Sequence, residues 1–405
     1  MPRTAERTRI IQNLEANIVW QNFFEETDDC EEQDNDDNFG LINEETPEEL
    51  LEFVYAQRYL EPRNRIPKSR DWSENVLPNY DPVRFRQTLR VSRESFQKIL
   101  ESIRSYHAFQ ANPSAHQLPV EKQLQIALFR FGRFGNAASL QDVARTFGIS
   151  EGTVVNATSR VIEAVLSLGD RYLCWYSAED SAKMKRRIHQ MSGFRDCLGF
   201  LDGTTIVLTE KPMKDGEFYY SRKSVYGLNC QIVADLDARI RFLFCGYPAS
   251  VHDSRCIEES DFCKHPQDFL EGPEYVLADS AYTLSKTILT PFKKPASLER
   301  DNAAFNRALS SVRVKVEHCI GIWKNRFQSM KGMGHRIGGK KSAKRVVDWV
   351  KACAILHNMV LKDDEWDGRD VGEGVFGAAT ESIVEDVAAA AHREHIKKQV
   401  LRYNS

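Results

Sequence analysis

The hydrophobic pattern of this chain changes period near residue 196, and this change limits the folds open to the chain more than any other feature. After that point, short apolar, β-branched and aromatic runs lie between Gly, Asp and Pro, as strands do. A helix near 254–261 and long helical patterns at 301–328 and 341–361 accompany these runs. We therefore expect an α/β fold over residues 190–361, in which helices flank a mixed sheet. The predicted strands lie in FLDGTTIVL, LNCQIVADL, RIRFLFCGY and YVLAD.

An all-α region, predicted over residues 47–170, precedes the sheet. Within it, residues 119–168 carry three helical patterns; Ser139 caps the second, Gly148 ends it, and Ser150 caps the third. This is the outline of a helix-turn-helix, whose third helix would lie in a DNA major groove. The same outline occurs where helices merely pack together. The third helix is predicted to bury Val154, Val155, Val161 and Val165 and to expose Glu151, Thr153, Asn156 and Arg160. Of the exposed residues, Thr153, Asn156 and Arg160 are predicted to contact DNA bases.

The two ends of the chain follow other patterns. Residues 1–24 are predicted to form an arm helix, which could pair with another chain. Residues 25–46 are predicted to be an acidic flexible linker, because like charges repel and few apolar groups are present. Residues 362–405 read as a Gly/Asp-rich hinge followed by a C-terminal helix.

The net charge of −3 hides a division along the chain. Residues 25–52 hold 14 Asp/Glu and no Lys/Arg. The other 44 acids face 55 Lys/Arg, so the rest of the chain carries +11. A body this basic can bind a polyanion, although excess Lys/Arg also serves solubility alone.

Membrane and metal-thiolate classes are excluded by composition. No apolar run reaches the roughly 18 residues of a membrane span, and the charged start MPRTAERTRI does not resemble a signal peptide, so an intracellular protein is expected. The nine cysteines are dispersed, with no C-x-x-C pair and no zinc-type spacing, so we expect reduced core thiols.

Three acids lie in apolar surroundings, where an unpaired carboxylate is costly: Asp202, Asp279 and Glu317. Each has an ordinary explanation. Asp202 with the following Gly could form a hairpin turn, Asp279 could cap a helix, and Glu317 could pair with Arg313 one helical turn earlier. Taken together, two acids on strands and one on a later helix can converge where the sheet meets that helix.

Clustered carboxylates need positive charge among them, and hard oxygen ligands select Mg²⁺ or Mn²⁺. Two such ions can activate a water and stabilise the leaving oxygen of a phosphodiester. In this hypothesis Asp202 bridges both ions, while Asp279 and Glu317 each complete the shell of one.

The segments around these acids resemble transposases of PIF/Harbinger elements and their domesticated relatives. The resemblance covers about 196–361 and extends more loosely over 85–170. It implies a DDE nuclease domain of RNase H-like fold, DNA cleavage followed by strand transfer, and Asp202, Asp279 and Glu317 as the metal-binding triad. The segments that carry it are LDGTTI, YYSRKSVYGLNCQIVADLDARI, GYPASVHDSR, LADSAYTLSKTILTPF, AFNRALSSVRVKVEHCIGIWKNRF and ILHNMV.

The resemblance also matches a family His-Asp pair to His252 and Asp253, as auxiliary catalytic residues or with Asp253 as a mere helix cap. The chain departs from the usual family pattern at four positions, none of which is a metal ligand. They are Thr205 for His, Ala281 for Gly, and His318 and Ile320 for Arg and Phe.

Basic residues are concentrated near the third acid, with 11 Lys/Arg against two acids between Arg313 and Lys351. A DNA backbone could run along this face, and the Gly-rich KGMGHRIGGKK could be a flexible loop that closes on it. Charged solvated faces are also common without any partner. The DNA-contacting residues predicted here are Lys315, Lys324, Arg326, Lys340 and Lys341.

Partners and localisation are expected by analogy with the family. The resemblance implies DNA as substrate and a Myb-like DNA-binding partner protein, and cutting two ends suggests a homo-oligomer. Basic clusters at 183–189 and 338–345 could serve nuclear import, with the chain cytoplasmic when no partner is present. The alternative to an enzyme is a domesticated DNA-binding regulator without nuclease activity.

Overall fold

The computed structural model describes residues 3–25, 46–56, 68–110, 117–361 and 386–404. The chain divides into two compact units, residues 1–67 and 68–405. The predicted acidic linker, apart from its end residues, and the predicted hinge lie outside the described residues.

The first unit contains two helices, α1 (Arg3–Glu25) and α2 (Pro47–Ala56), which pack against each other. Arg7 donates a hydrogen bond to the Val54 carbonyl at 2.9 Å, and the Tyr55 hydroxyl donates to Glu15 at 2.7 Å. Helix α1 lies where the arm helix is predicted.

The second unit is built on a five-stranded mixed sheet of order β3-β2-β1-β4-β5. β1 pairs antiparallel with β2, and β2 with β3, while β4 is parallel to both β1 and β5. The predicted α/β class is therefore confirmed, and the arrangement is consistent with a DDE nuclease fold. The strands are β1 (Cys197–Val207), β2 (Gly227–Ala234), β3 (Ile240–Pro248), β4 (Tyr275–Leu277) and β5 (Ile288–Leu289).

Helices cover the sheet, and every residue of β2 is buried, as expected for a strand covered on both faces. The sequence did not indicate α9 or the two-residue β5. The helices of this unit are α3 (Pro82–Leu89), α4 (Arg93–Ile103), α5 (Val120–Phe131), α6 (Leu140–Phe147), α7 (Glu151–Leu166), α8 (Gly169–Tyr172), α9 (Ala178–Ser192), α10 (Asp253–Glu258), α11 (Asp261–Lys264), α12 (Arg300–Arg326), α13 (Lys340–Val360) and α14 (Val387–Tyr403).

Local capping groups set the ends of α6 and α7. The Ser139 hydroxyl accepts a hydrogen bond from the Asp142 amide, and the Ser150 hydroxyl accepts one from the Thr153 amide. Gly148 ends α6 in the left-handed region at φ +63°, and a Cβ there would lie 2.2 Å from the Ser69 carbonyl oxygen. These ends agree with the sequence pattern.

The stripe predicted for α7 is correct at three of its four valines. Val154, Val161 and Val165 are fully buried, whereas Val155 is 37% exposed. The prediction for Val155 is wrong because its position, one residue after Val154, lies about 100° further round the helix.

Helix α13 joins the helical region to the sheet, since it packs against both α7 and β3. Its Asn358 side chain accepts a hydrogen bond from the Ile240 amide at 3.0 Å and donates to the carbonyls of Ile240 and Tyr172, each at 2.7 Å. Among the described residues, no helix is both long and apolar enough to cross a membrane.

Candidate active site

Two of the three predicted acids come from neighbouring parallel strands, Asp202 within β1 and Asp279 just after the end of β4. Phe200 of β1 pairs with Leu277 of β4. Asp202 follows Phe200 by two residues, and Asp279 follows Leu277 by two residues. Because strands in register advance together, these two side chains stand beside each other at one end of the β1–β4 pair.

The ordinary explanations for these two acids are wrong. Asp202 lies within β1 and pairs across to Ile232 of β2, so it does not form a hairpin turn. After Asp279 the chain enters a turn and then β5, and the carboxylate accepts a hydrogen bond from the Ala281 amide at 2.8 Å. Asp279 therefore closes a turn that precedes β5, and it does not cap a helix.

Glu317 reaches the same region from α12, which packs against β1 and β2. Arg313, one turn earlier on α12, donates a hydrogen bond from Nη2 to Oε1 of Glu317. The Nη1 atom of the same guanidinium lies 3.2 Å from Oδ2 of Asp202. The pairing of Glu317 with Arg313 is thus present, and the same arginine also links Glu317 to Asp202.

The acids influence one another electrostatically. The pKa of Asp202 is raised to about 7, chiefly by burial; Arg313 opposes the rise, while Asp279 and Glu317 add to it. Burial also raises the pKa of Asp279, against a hydrogen bond from Ala281 and the charge of Arg313, with Asp253 and Glu317 adding to the rise. Asp202, Asp279, Glu317 and the guanidinium of Arg313 therefore share one poorly solvated region, and Asp253 acts on it through Asp279.

Asp253, the fourth acid, is held against β1 by side chains of β2. Its Oδ1 accepts hydrogen bonds from Nδ2 of Asn229 at 2.9 Å and Nε2 of Gln231 at 2.7 Å. The Tyr282 hydroxyl donates to Oε1 of Gln231 at 2.5 Å. A Cβ at Gly203 would lie 2.4 Å from this Oδ1, so only glycine allows the approach. Asp253 therefore lies against β1 at Gly203, on the face of the strand opposite to the Asp202 side chain, and its charge raises the pKa of Asp279.

The helix-cap alternative for Asp253 is wrong, because His252 is the N-cap residue of α10 and no side chain caps that helix end. His252 is exposed, and its ring nitrogen Nε2 lies 2.6 Å from Nη2 of Arg222.

Sequence reasoning missed the supporting residues Asn229, Gln231 and Tyr282 and the central position of Arg313. A signal for two of them was present, since Asn229 and Gln231 are polar residues in an otherwise apolar strand and are buried. Buried amides need partners, so their occurrence two residues apart indicated a polar feature on one face of the sheet.

The donor set has the chemistry that a hard divalent cation prefers, since all its atoms are carboxylate oxygens. Within the described ranges, however, no three His, Cys, Asp or Glu side chains are arranged to hold a metal ion. The guanidinium of Arg313 lies between Asp202 and Glu317. With Arg313 in this place, the acids do not form a complete metal site.

The predicted DNA-contacting residues separate into two groups. Lys315, Lys340 and Lys341 are exposed. Lys324 donates to the Thr205 carbonyl at 2.7 Å, and burial lowers the pKa of its amino group to about 8; Arg326 is fully buried. The burial of Arg326 and the hydrogen bond of the half-buried Lys324 to β1 leave little of either side chain for a DNA backbone.

The Gly-rich segment predicted as a flexible loop is bound to the end of β1. The Met333 amide donates to the Val207 carbonyl at 2.7 Å, and the Met213 amide donates to the Ile337 carbonyl at 2.9 Å. Met333 and Ile337 are buried. These bonds restrain the backbone between the two residues.

On α7, Asn156 is exposed, while Thr153 and Arg160 are half-buried. The Thr153 hydroxyl lies 2.8 Å from that of the cap Ser150. Asn156 thus has the freest side chain of the three residues predicted to contact bases.

The chain is similar to known proteins over the region that carries these acids. Residues 201–358 match the model of a family described as DDE superfamily endonuclease. The Arabidopsis thaliana ALP1-like protein is 26% identical over 306 residues, which cover 69% of this chain and 71% of the relative. The Arabidopsis protein antagonist of like heterochromatin protein 1 is 23% identical over 320 residues, covering 74% and 78%.

A third relative, the candidate nuclease HARBI1 of Xenopus laevis, is 23% identical over 245 residues, which cover 60% of this chain and 68% of the relative. No solved structure matches the chain. The resemblance to Harbinger-derived, transposase-like nucleases is confirmed by these matches.

Proposed function

We propose that this chain, a relative of Harbinger-derived transposase-like nucleases whose residues 201–358 form a DDE superfamily endonuclease domain, is a divalent-metal-dependent DNA endonuclease that also transfers strands. The observation that carries the proposal is the placement of the acids. Asp202 lies within β1, Asp279 follows the end of the parallel strand β4, and Glu317 comes from α12, which packs on β1. An RNase H-like catalytic sheet has this arrangement of strands and helix.

In the proposed site Asp202, Asp279 and Glu317 would hold two ions of Mg²⁺ or Mn²⁺, which would supply activation of a water and stabilisation of the leaving oxygen of a phosphodiester. The contribution of the protein is to hold the carboxylates in position. The pairing of β1 with β4 positions Asp202 and Asp279, and the contacts with Asn229 and Gln231 hold Asp253 on the other face of β1, where its charge acts on Asp279. Asp253 serves as an auxiliary residue, and His252, exposed at the adjacent helix end, is the second auxiliary candidate.

DNA binding is assigned to two surfaces. The α5–α7 region acts as a helix-turn-helix whose α7 presents Asn156 to bases, with Thr153 and Arg160 near it. Exposed lysines on α12 and at the start of α13 contact phosphates. Those lysines are Lys315, Lys340 and Lys341.

The assembly and location follow from the same function. Cutting two DNA ends requires two active sites, so we infer a homo-oligomer, and a Myb-like partner protein would assist end recognition and nuclear import. The basic clusters at 338–345 and 183–189 are the candidate import signals, and in the first Lys344 pairs with Asp348. In the cluster at 183–189, Lys185 pairs with Glu274 and Arg187 with Asp237.

The second candidate function is a DNA-binding regulator without nuclease activity. Two observations favour it: the guanidinium of Arg313 lies between two of the acids, and one relative is named as an antagonist of a heterochromatin protein. This function would use the α5–α7 region and leave the acids without a catalytic role.

Nicking of supercoiled plasmid in Mn²⁺ or Mg²⁺ tests the proposal. Wild-type protein should nick the plasmid, and Asp202→Asn, Asp279→Asn and Glu317→Gln should not. The matched control is Asp268→Asn, which changes an exposed carboxylate outside the acid cluster. DNA binding without any metal-dependent nicking, on plasmids with and without candidate element ends, would favour the regulator.

A further inference from the structure

Arg313 is buried among the acids of the candidate site. Its side chain is only 9% exposed, although a charged side chain this deep is rare without partners. The partners are Oε1 of Glu317, bonded by Nη2, and Oδ2 of Asp202, 3.2 Å from Nη1. One guanidinium thus neutralises carboxylates from α12 and from the central strand β1.

The contact with Asp202 is electrostatic only. Nη1 is buried and makes no hydrogen bond with any described residue, even though Oδ2 of Asp202 is close to it. An unsatisfied, buried N–H group of this kind is costly. Arg313 is therefore held by its hydrogen bond to Glu317 and by its charge beside Asp202, and a stronger cation at the same carboxylates can displace it.

A divalent ion and the guanidinium cannot both contact the same two oxygens. Mg²⁺ binds carboxylate oxygens at roughly 2.0–2.1 Å, inside the space that Arg313 fills between Asp202 and Glu317. The like charges of the two cations would also repel each other in this poorly solvated place.

We propose that Arg313 is an internal counter-cation that a divalent ion must displace from Asp202 and Glu317, so that Arg313 sets the metal concentration at which the site becomes competent. This inference rests on the proposed function, because it concerns metal loading of the same acids. Arg313 is a positioning residue in this scheme, since it acts through the carboxylates.

The competition can be measured without any DNA cleavage. Isothermal titration of Mn²⁺ at pH 8 into wild type and Arg313→Gln should show binding to the variant at least about tenfold tighter. Arg313→Lys keeps the charge and loses the planar fork, so its affinity should fall between the two. Arg307→Gln, an exposed change two turns earlier on α12, should bind Mn²⁺ as wild type does.

Thermal unfolding provides a second readout. Without added metal Arg313→Gln should melt below wild type, since Asp202 and Glu317 lose their shared cation. Millimolar Mn²⁺ should then raise Tm more in Arg313→Gln than in wild type, because tighter binding stabilises the folded state more. Asp202→Asn should abolish the Mn²⁺ effect in either background, which identifies the site.

Three outcomes distinguish failure of the inference about Arg313 from failure of the proposed metal-dependent function. Mn²⁺ binding that is equal or weaker in folded Arg313→Gln overturns the role of Arg313 and leaves the proposed function standing. If Arg313→Gln does not fold, Arg313→Lys decides, and wild-type affinity in that variant overturns the inference. Absence of Mn²⁺ binding in wild type and both variants overturns the metal-dependent function itself and this inference with it.

Discussion

In the α6–α7 pair, each helix is begun and ended by groups a few residues away, whereas the acids of the candidate site come from three elements 77 and 38 residues apart along the chain. The helical pair satisfies its polar groups with serine caps and a glycine turn. The acid cluster instead brings like charges together in a place where burial raises the pKa of Asp202 and Asp279. One region gains stability from its polar residues, and the other loses stability through them, as functional sites often do.

The largest expected effect lies in the core of the helical region. Phe147 is 2% exposed and packs edge-on against the rings of Trp72 and Phe129. Phe147→Ala should cost about 4 kcal/mol of stability, because it removes a buried ring and leaves a cavity. Calorimetry should show a lower Tm, and DNA binding should weaken with it. Phe134→Ala, at an exposed ring, is the control, and an equal loss there would contradict the explanation.

The second-largest effect is on nicking activity, which distinguishes the acid cluster from the helical region that is proposed to bind DNA. Asp279→Asn should reduce metal-dependent nicking at least about a hundredfold, because it removes one charged ligand while keeping the shape of the side chain. DNA affinity, measured by fluorescence anisotropy, should change little, since α7 is untouched. A parallel loss of affinity would show that Asp279 supports the fold.

A stabilising substitution is expected within the acid cluster. The folded-state pKa of Asp202 is about 7 against 3.8 in the unfolded chain, so the folded protein binds this proton more readily and loses stability as pH rises from about 4 to 7. Asp202→Asn removes that loss. In the absence of divalent metal it should be more stable than wild type by about 2 kcal/mol at pH 8, and no more stable at pH 4.

Melting curves at pH 4, 6 and 8 measure this difference. A variant that is less stable than wild type at pH 8 would show that the ion pair with Arg313 outweighs the burial of Asp202. Asp268→Asn, at an exposed site, should show no such pH dependence.

The smallest effect tests the local capping of α7. Ser150→Ala removes the acceptor of the Thr153 amide and should cost about 1 kcal/mol. Ser150→Asn keeps a capping side chain and should restore most of the loss. Equal Tm values for wild type and Ser150→Ala would mean that packing against α5 and α13 fixes the start of α7 without the cap.

The same contrast explains what could be predicted from the sequence. The ends of α6 and α7 and four strands follow from capping residues and periodicity within short windows. Helix α9 was missed because it buries only Met184, Ile188 and Ser192 among many charged residues, and β5 because two residues carry no period.

The side chains of α12 show most clearly what could not be predicted from the sequence. Lys324 and Arg326 belong to the most basic stretch of the chain, and composition placed them on a DNA-binding surface. The packing of α12 on the sheet turns both inward instead. Which face of a helix meets the sheet depends on contacts with distant strands, so neither these burials nor the central place of Arg313 could be read from local pattern.

Asn358 connects the sheet that carries the candidate site to the helical region. Its amide bonds both the Ile240 backbone of β3 and the Tyr172 carbonyl, while its helix, α13, lies on α7. Under the proposed function, the base-reading helix and the cutting sheet would then move as one piece. The protein would then cut DNA at a fixed number of base pairs from the sequence that it binds.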